Sequence, residues 1–174
     1  MRNVALTIAA AAVAVGLSGC GKSPGANQAD QSQANASAQS TTAGATTGAE
    51  PDEHEKKEVV EHLPPPYNTG DIANGETKFL VCKSCHTTTA GGPDMTGPNL
   101  SGIIGRKVAS KAGYTYSDAL KAQTFTWDTA QLDKWLTDPK AMVPGTKMTF
   151  PGMKDPKDRI DLIAYLAAET TTHK

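Results

Sequence analysis

Five consecutive residues, Cys82-Lys83-Ser84-Cys85-His86, hold the densest chemistry in the chain. Two thiols separated by two residues, with an imidazole directly after the second, suit covalent haem attachment. Each thiol adds across one vinyl group of the porphyrin, and the two-residue gap matches the spacing of those groups along one edge. His86 is then held against the iron. Other chemistries of a cysteine pair fit less well. A zinc site needs further ligands from a second Cys/His cluster, and no second C-x-x-C stands in the sequence. A thioredoxin-like pair wants a preceding strand in a parallel sheet, which the helical patterning does not offer. A disulfide is poorly placed across two residues.

The sixth position on the iron separates an electron carrier from gas or peroxide chemistry. The segment Pro139-Lys140-Ala141-Met142-Val143-Pro144-Gly145-Thr146-Lys147-Met148 places a methionine after a Pro/Gly turn, where backbone can wrap the open face of a porphyrin. A thioether ligand raises the reduction potential by favouring ferrous iron. Met95, Met142 and Met153 do not follow that turn and read as packing or surface residues, with Met153 the fallback ligand.

These groups need a small helical frame. Asp71 to Val81 reads as a first helix with Asp71 as N-cap and Ile72, Gly75 and Phe79 at helical spacing. Lys157 to Ala168 reads as the last helix, with a broad apolar face. Gly75 has no side chain to keep the two apart. Between them, Ser117–Lys121 and Thr129–Thr137 make shorter helices, the second with Asp128 as N-cap and Pro139 just past its end. The fold expected is all-α and wrapped around haem, with the porphyrin supplying much of the core.

All nine aromatic residues lie from Tyr67 onward, so the apolar bulk belongs to the C-terminal part. Residues 71–174 carry 13 Lys+Arg against 11 Asp+Glu, whereas residues 21–70 carry 3 against 7. The net charge of −1 lacks the basic excess of a nucleic-acid binder. The N-terminus reads as an address. Arg2 precedes an apolar run from Val4 to Leu17, the length of a signal-peptide core and short of the roughly 20 residues that span a bilayer. Leu17-Ser18-Gly19-Cys20 resembles a bacterial lipobox, which would make Cys20 the acylated N-terminus of an exported protein. Several acyl chains give stable anchoring, each buried methylene contributing about 0.8 kcal/mol.

From Gly21 to about Asn68 the composition is that of a solvated linker: Ala, Gln, Ser, Thr and Gly, then a charged stretch from Glu50 to Glu61, then Pro64-Pro65-Pro66. As a flexible coil its reach is roughly 40 Å. His54 and His62 within it read as exposed and unliganded. The expected organisation is a signal peptide over 1–19, a lipidated cysteine with a disordered linker over 20–69, and a haem domain over 70–174.

From Gly70 to Ala168 the chain resembles class I cytochromes c of the mitochondrial and alphaproteobacterial type. The resemblance is carried by Gly97-Pro98-Asn99-Leu100, Gly105-Arg106-Lys107, Gly113-Tyr114-Thr115-Tyr116-Ser117, Thr126-Trp127, Pro144-Gly145-Thr146-Lys147-Met148-Thr149-Phe150 and Asp161-Leu162-Ile163-Ala164-Tyr165-Leu166. It implies one haem c bound through Cys82 and Cys85, His86 as proximal ligand with its other ring nitrogen donating to the carbonyl of Pro98, and Met148 as distal ligand. It further implies Arg106, Tyr116 and Trp127 around the haem propionates, with Thr146 near the inner propionate or a buried water. Leu120 and Trp135 depart from the family's usual Asn and Tyr and make the pocket drier.

With both axial positions filled, the resemblance implies a carrier of single electrons and not an enzyme. The expected partners are membrane complexes, a bc1-type reductase and a terminal oxidase, met on the periplasmic side of a bacterial membrane. Lys140, Lys147 and Lys154 flank the expected crevice and would steer an acidic partner. The competing readings are a fixed haem subunit of one oxidase or dehydrogenase complex, and a weak peroxidase or gas-binding protein with a labile Met148.

Overall fold

The computed structural model describes residues 52–171; the lipobox with Cys20 and most of the linker lie outside them. Six helices follow in order: α1 Glu53–Glu61, α2 Ile72–Phe79, α3 Asp118–Lys121, α4 Thr129–Thr137, α5 Pro139–Met142 and α6 Pro156–Thr170, with a 3-10 turn at Tyr67–Thr69. The extended structure found among the described residues is an isolated antiparallel bridge pairing Lys107 with Thr126. The all-α expectation holds.

The helix starts follow side-chain chemistry. Asp71, Ser117 and Asp128 each accept a backbone N–H from the first turn of the helix that follows, satisfying a donor that has no partner within the helix. Pro139, read from sequence as a residue beyond α4, instead opens α5 at a position where a missing N–H costs nothing. Asp138 caps it.

α2 and α6 cross at Gly75. A Cβ there would overlap the carbonyl oxygen of Asp161 and lie 2.6 Å from Tyr165 Cβ, so only glycine admits this approach. Beside the crossing, Phe79 and Tyr165 pack with ring centroids 5.3 Å apart. Asp161 is 1% exposed and bridges the pair: it accepts from the Asp71 N–H at 2.9 Å, from Asn74 Nδ2 at 2.6 Å and from Lys157 Nζ at 2.6 Å. Burial pushes the pKa of this carboxyl up, but those donors outweigh it and hold it below its ordinary value. The native state therefore favours the proton-free form. Its stabilisation is fully present above the ordinary carboxylate pKa of about 3.9 and is lost as pH falls through the lower folded value. Asp161→Asn should be less stable than the parent at neutral pH, with the gap closing below about pH 4. Paired acid-unfolding curves check this, and a gap that stays constant to low pH would contradict it.

One expectation is corrected. The stretch from Glu53 to Glu61, expected within a disordered linker, is a helix docked on α6. Its apolar content is thin, but it needs little. Asp52 and Glu55 form a capping box, Val60 is buried against Ala164 and Ala168, and Lys56 pairs with Glu169 at 3.0 Å with both side chains largely covered. The tertiary partner stabilises a helix that propensity alone leaves marginal. Tyr67 is also buried, and Gly70 passes close against Ala164 and the Ile160 carbonyl. The folded unit thus includes residues 52–69 along with those from 70 onward.

Candidate functional site

α2 ends at Phe79 and the chain continues in turns. The N–H groups of Cys82 and Lys83 both donate to the Phe79 carbonyl, at 2.8 and 3.1 Å. Those of Cys85 and His86 both donate to Cys82 O, at 3.0 and 2.9 Å. Cys82, Cys85 and His86 are thereby gathered within one turn on the end of a helix that is itself fixed on α6. The two thiols are not joined to each other and are partly exposed. Burial, and secondarily Cys85, pushes the Cys82 thiol up to about 11. Among the described residues no group of three or more His, Cys, Asp or Glu side chains is arranged so that it could by itself hold a metal ion.

His86 Nδ1 lies 2.7 Å from the carbonyl oxygen of Pro98. A carbonyl only accepts, so Nδ1 carries the proton and Nε2 keeps its lone pair for a metal. Burial lowers the imidazole pKa; the Pro98 carbonyl raises it and Arg106 lowers it. The ring rests on Gly97, where a Cβ would overlap Cε1 and lie 2.6 and 2.7 Å from Nδ1 and Nε2. The Gly97 N–H donates to Cys85 O at 2.8 Å, which ties this loop to the cysteine turn.

Asn99 sets the Pro98 carbonyl in place. It is 3% exposed, donates through Nδ2 to Thr87 Oγ1 at 2.6 Å and Thr89 O at 2.9 Å, and accepts from the Ser101 N–H at 3.0 Å. Its own N–H donates to Asp94, whose carboxylate pairs with Lys111 at 2.9 Å. Neither Gly97 nor Asn99 was assigned a role from sequence. The Gly-Pro-Asn run eleven residues after His86 was the available signal.

Arg106 is half-buried and donates to the carbonyls of Ser101 and Asn99, each at 3.2 Å. Burial lowers its pKa, opposed by Tyr116 and Asp94. No ion pair between Arg106 and a carboxylate is found among the described residues. Burial also raises the Tyr116 phenol, which the Arg106 charge and the Lys111 N–H hold back. Trp127 is joined to Arg106 by main chain: Trp127 N–H donates to Arg106 O at 2.9 Å and Gly105 N–H to Trp127 O at 2.7 Å. The bridge thus carries Arg106 and Trp127 on two facing strands of one clip. Trp127 meets Trp135 edge-on, with ring centroids 5.4 Å apart.

The methionine loop turns at Gly145, whose φ of 91° is the left-handed conformation that glycine adopts freely. Thr146 Oγ1 accepts from the Met148 N–H at 3.3 Å, so its hydroxyl braces the turn that presents Met148. Lys147 Nζ reaches Thr115 O at 3.5 Å, bringing this loop beside the Tyr116 segment. Met148 is partly buried against the core, as are Met142 and Met153, while Met95 is exposed. Leu120 and Trp135 are both buried.

These residues fit a covalently bound haem. Two unpaired thiols sit a turn apart, an imidazole is committed at one nitrogen and cradled on a glycine, and a half-buried guanidinium is without a carboxylate.

Comparison with known proteins agrees. The cytochrome c family model matches residues 72–169. Cytochrome c2 of Rhodomicrobium vannielii is 48% identical over 103 residues, 59% of this chain and 82% of that protein. Cytochrome c-554 of Methylosinus trichosporium is 47% identical over 98 residues, 56% of this chain and 74% of that one. The structure of cytochrome cH from Methylobacterium extorquens matches with a TM-score of 0.55 and 50% identity, over 57% of this chain and all of that chain. A helix-borne Cys-x-x-Cys-His turn, a carbonyl-oriented imidazole and a family match from α2 to α6 place this chain in the class I c-type cytochromes, electron carriers that hold haem c covalently.

Proposed function

We propose that this protein carries single electrons between membrane respiratory complexes from a lipid anchor at Cys20, on the periplasmic side of a bacterial membrane. Cys82 and Cys85 would hold the haem covalently, His86 Nε2 and Met148 Sδ would ligate its iron, and Arg106, Tyr116 and Trp127 would surround its propionates. The haem supplies one-electron redox chemistry at an iron whose ligands are both protein-derived. The carrying observation is the 2.7 Å contact of His86 Nδ1 with Pro98 O, because it fixes the tautomer that leaves Nε2 as a permanent ligand.

The protein's own part is to keep that iron closed. The Asn99-anchored loop holds the imidazole, and the Gly145–Met148 turn would supply the thioether. A filled coordination sphere leaves no position for a substrate, which favours a carrier over a peroxidase or gas-binding protein. The anchor rests on Leu17-Ser18-Gly19-Cys20 after its apolar run. No helix of the described residues is long and apolar enough to cross a membrane.

One experiment tests both halves. The full chain and Cys20→Ala are expressed with haem, fractionated, and examined as reduced-minus-oxidised spectra with and without carbon monoxide. The parent is expected in the membrane fraction and the variant in the released fraction, with identical spectra that carbon monoxide leaves unchanged. Rapid carbon monoxide binding by the native protein would overturn the carrier reading. A Cys20→Ala protein still bound to membranes would overturn the lipid anchor.

A further inference from the structure

Large apolar side chains are exposed at three described positions: Leu80 at 58%, Val81 at 63% and Met95 at 47%. All three lie on backbone that directly frames the haem-attachment turn. Leu80 and Val81 are the two residues between Phe79 and Cys82, in the turn closed by the Cys82 N–H to Phe79 O bond of 2.8 Å. Met95 lies across from them in sequence. Its N–H donates to Gly97 O at 2.9 Å, and the Gly97 N–H donates to Cys85 O at 2.8 Å. One side of the Cys82–His86 turn is thus entered through two exposed aliphatic residues, and the loop bonded to its other end carries an exposed thioether.

The carboxylate nearest Met95 is already paired within the molecule. Asp94, beside Met95, pairs with Lys111 at 2.9 Å. Lys83, inside the turn, lines a groove with Glu53, Glu76 and Glu169. Among the described residues no other large apolar side chain is exposed, so the attachment turn is where an approaching molecule meets apolar side chains. An exposed apolar cluster at a functional edge marks an interaction site, and the centre of a protein interface is where charged residues are depleted.

We propose that Leu80, Val81 and Met95 form the docking face for the redox partner, and that this partner is a membrane-bound electron-transfer protein presenting an uncharged, apolar collar around its own cofactor. This rests on the carrier reading above and adds the chemistry of the contact. Electrons leave a c-type haem at its exposed edge, so the partner has to cover the residues bordering it. The 51 residues that precede the described domain, with an apolar run and Cys20 near their start, supply the reason for a membrane-bound partner. A tethered carrier does not depend on long-range charge steering to find its partner, because attachment itself raises the encounter rate. A modest apolar contact then suffices and releases readily after transfer.

The test uses the full-length haem protein with membranes from a strain lacking this chain as the redox probe, and ferricyanide as a small oxidant that needs no docking face. The Leu80→Ser/Val81→Ser variant is expected to lose about tenfold in its rate of electron exchange with the membranes. Its haem content, spectrum and ferricyanide rate should match the parent, as both residues are more than half exposed. The parent's membrane rate is expected to change less than about twofold between roughly 50 and 500 mM salt. A variant that exchanges electrons with the membranes at the parental rate overturns the proposal. So does a parental rate that collapses with salt and follows Lys140→Gln and Lys147→Gln instead, which would identify an acidic partner. If the membranes exchange no electrons with the parent protein, the carrier reading fails and the docking face falls with it.

Discussion

Gly97→Ala is expected to leave haem attached while removing its proximal ligand. The added methyl group would overlap His86 Cε1 and stand 2.6 and 2.7 Å from the ring nitrogens, where ordinary contact needs 3.4–4 Å. The ring cannot simply swing away, because its Nδ1–H is bonded to Pro98 O and that carbonyl is held by the buried Asn99. Nor does the backbone yield easily, since Gly97 N–H is bonded to Cys85 O in the turn that carries both thiols. Relief comes by tilting the imidazole out of its position, at an overpacking cost of about 1–3 kcal/mol. The thioether bonds do not depend on that ring. The expected result is a protein that still holds haem after denaturation, yet has lost the spectrum of a six-coordinate iron and now binds carbon monoxide rapidly. A variant with the parental spectrum would show that the imidazole has slack the structure does not suggest.

Gly75→Ala strikes the frame and not the ligand. Its Cβ would overlap the Asp161 carbonyl oxygen, a backbone atom in the middle of α6, and lie 2.6 Å from Tyr165 Cβ. Alanine is the better helix former, so helix propensity alone predicts a gain of about 1 kcal/mol. The clash decides the sign. Separating α2 from α6 also stretches the three hydrogen bonds into Asp161 and the Phe79–Tyr165 contact. A net loss of about 3 kcal/mol corresponds to a fall in melting temperature of roughly 12 °C for a domain of this size. Thermal unfolding followed by haem absorbance and by far-ultraviolet circular dichroism measures it, and a shift of a few degrees or less would mean that the helices can part cheaply.

What sequence could and could not disclose follows from the range of the interactions. Asp71 and Asp128 were readable as caps because a cap acts within its own first turn. Gly75 was readable as a crossing point because glycine within helical periodicity, facing an apolar last helix, has one common use. The Cys82–His86 turn was readable because its chemistry is fixed by spacing. α1 was missed for the opposite reason: Glu53–Glu61 buries only Val60, and its other main tie is Lys56 to Glu169, a partner 113 positions away that no local pattern reveals. The capping box of Asp52 and Glu55 was the one local clue. Gly97 escaped because nothing in its neighbourhood says that an imidazole lies across it. Thr146, expected near a propionate or a water, also accepts the Met148 N–H, a bond that depends on the exact fold of the Gly145 bend and has no local signal.

Arg106 and Trp127 sit on one main-chain clip closed by the bonds between residues 105–108 and 125–127. Electron transfer is slowed by whatever must rearrange when a centre gains or loses a unit of charge. Groups set in advance by backbone bonds have little to rearrange, since their dipoles already point where they will be needed. The guanidinium donates to two carbonyls and the indole packs edge-on against Trp135, so both side chains are set in place before any charge changes beside them. With the propionates placed there as proposed, the clip would be a kinetic device, one that keeps the reorganisation energy of the centre small whichever partner the electron comes from.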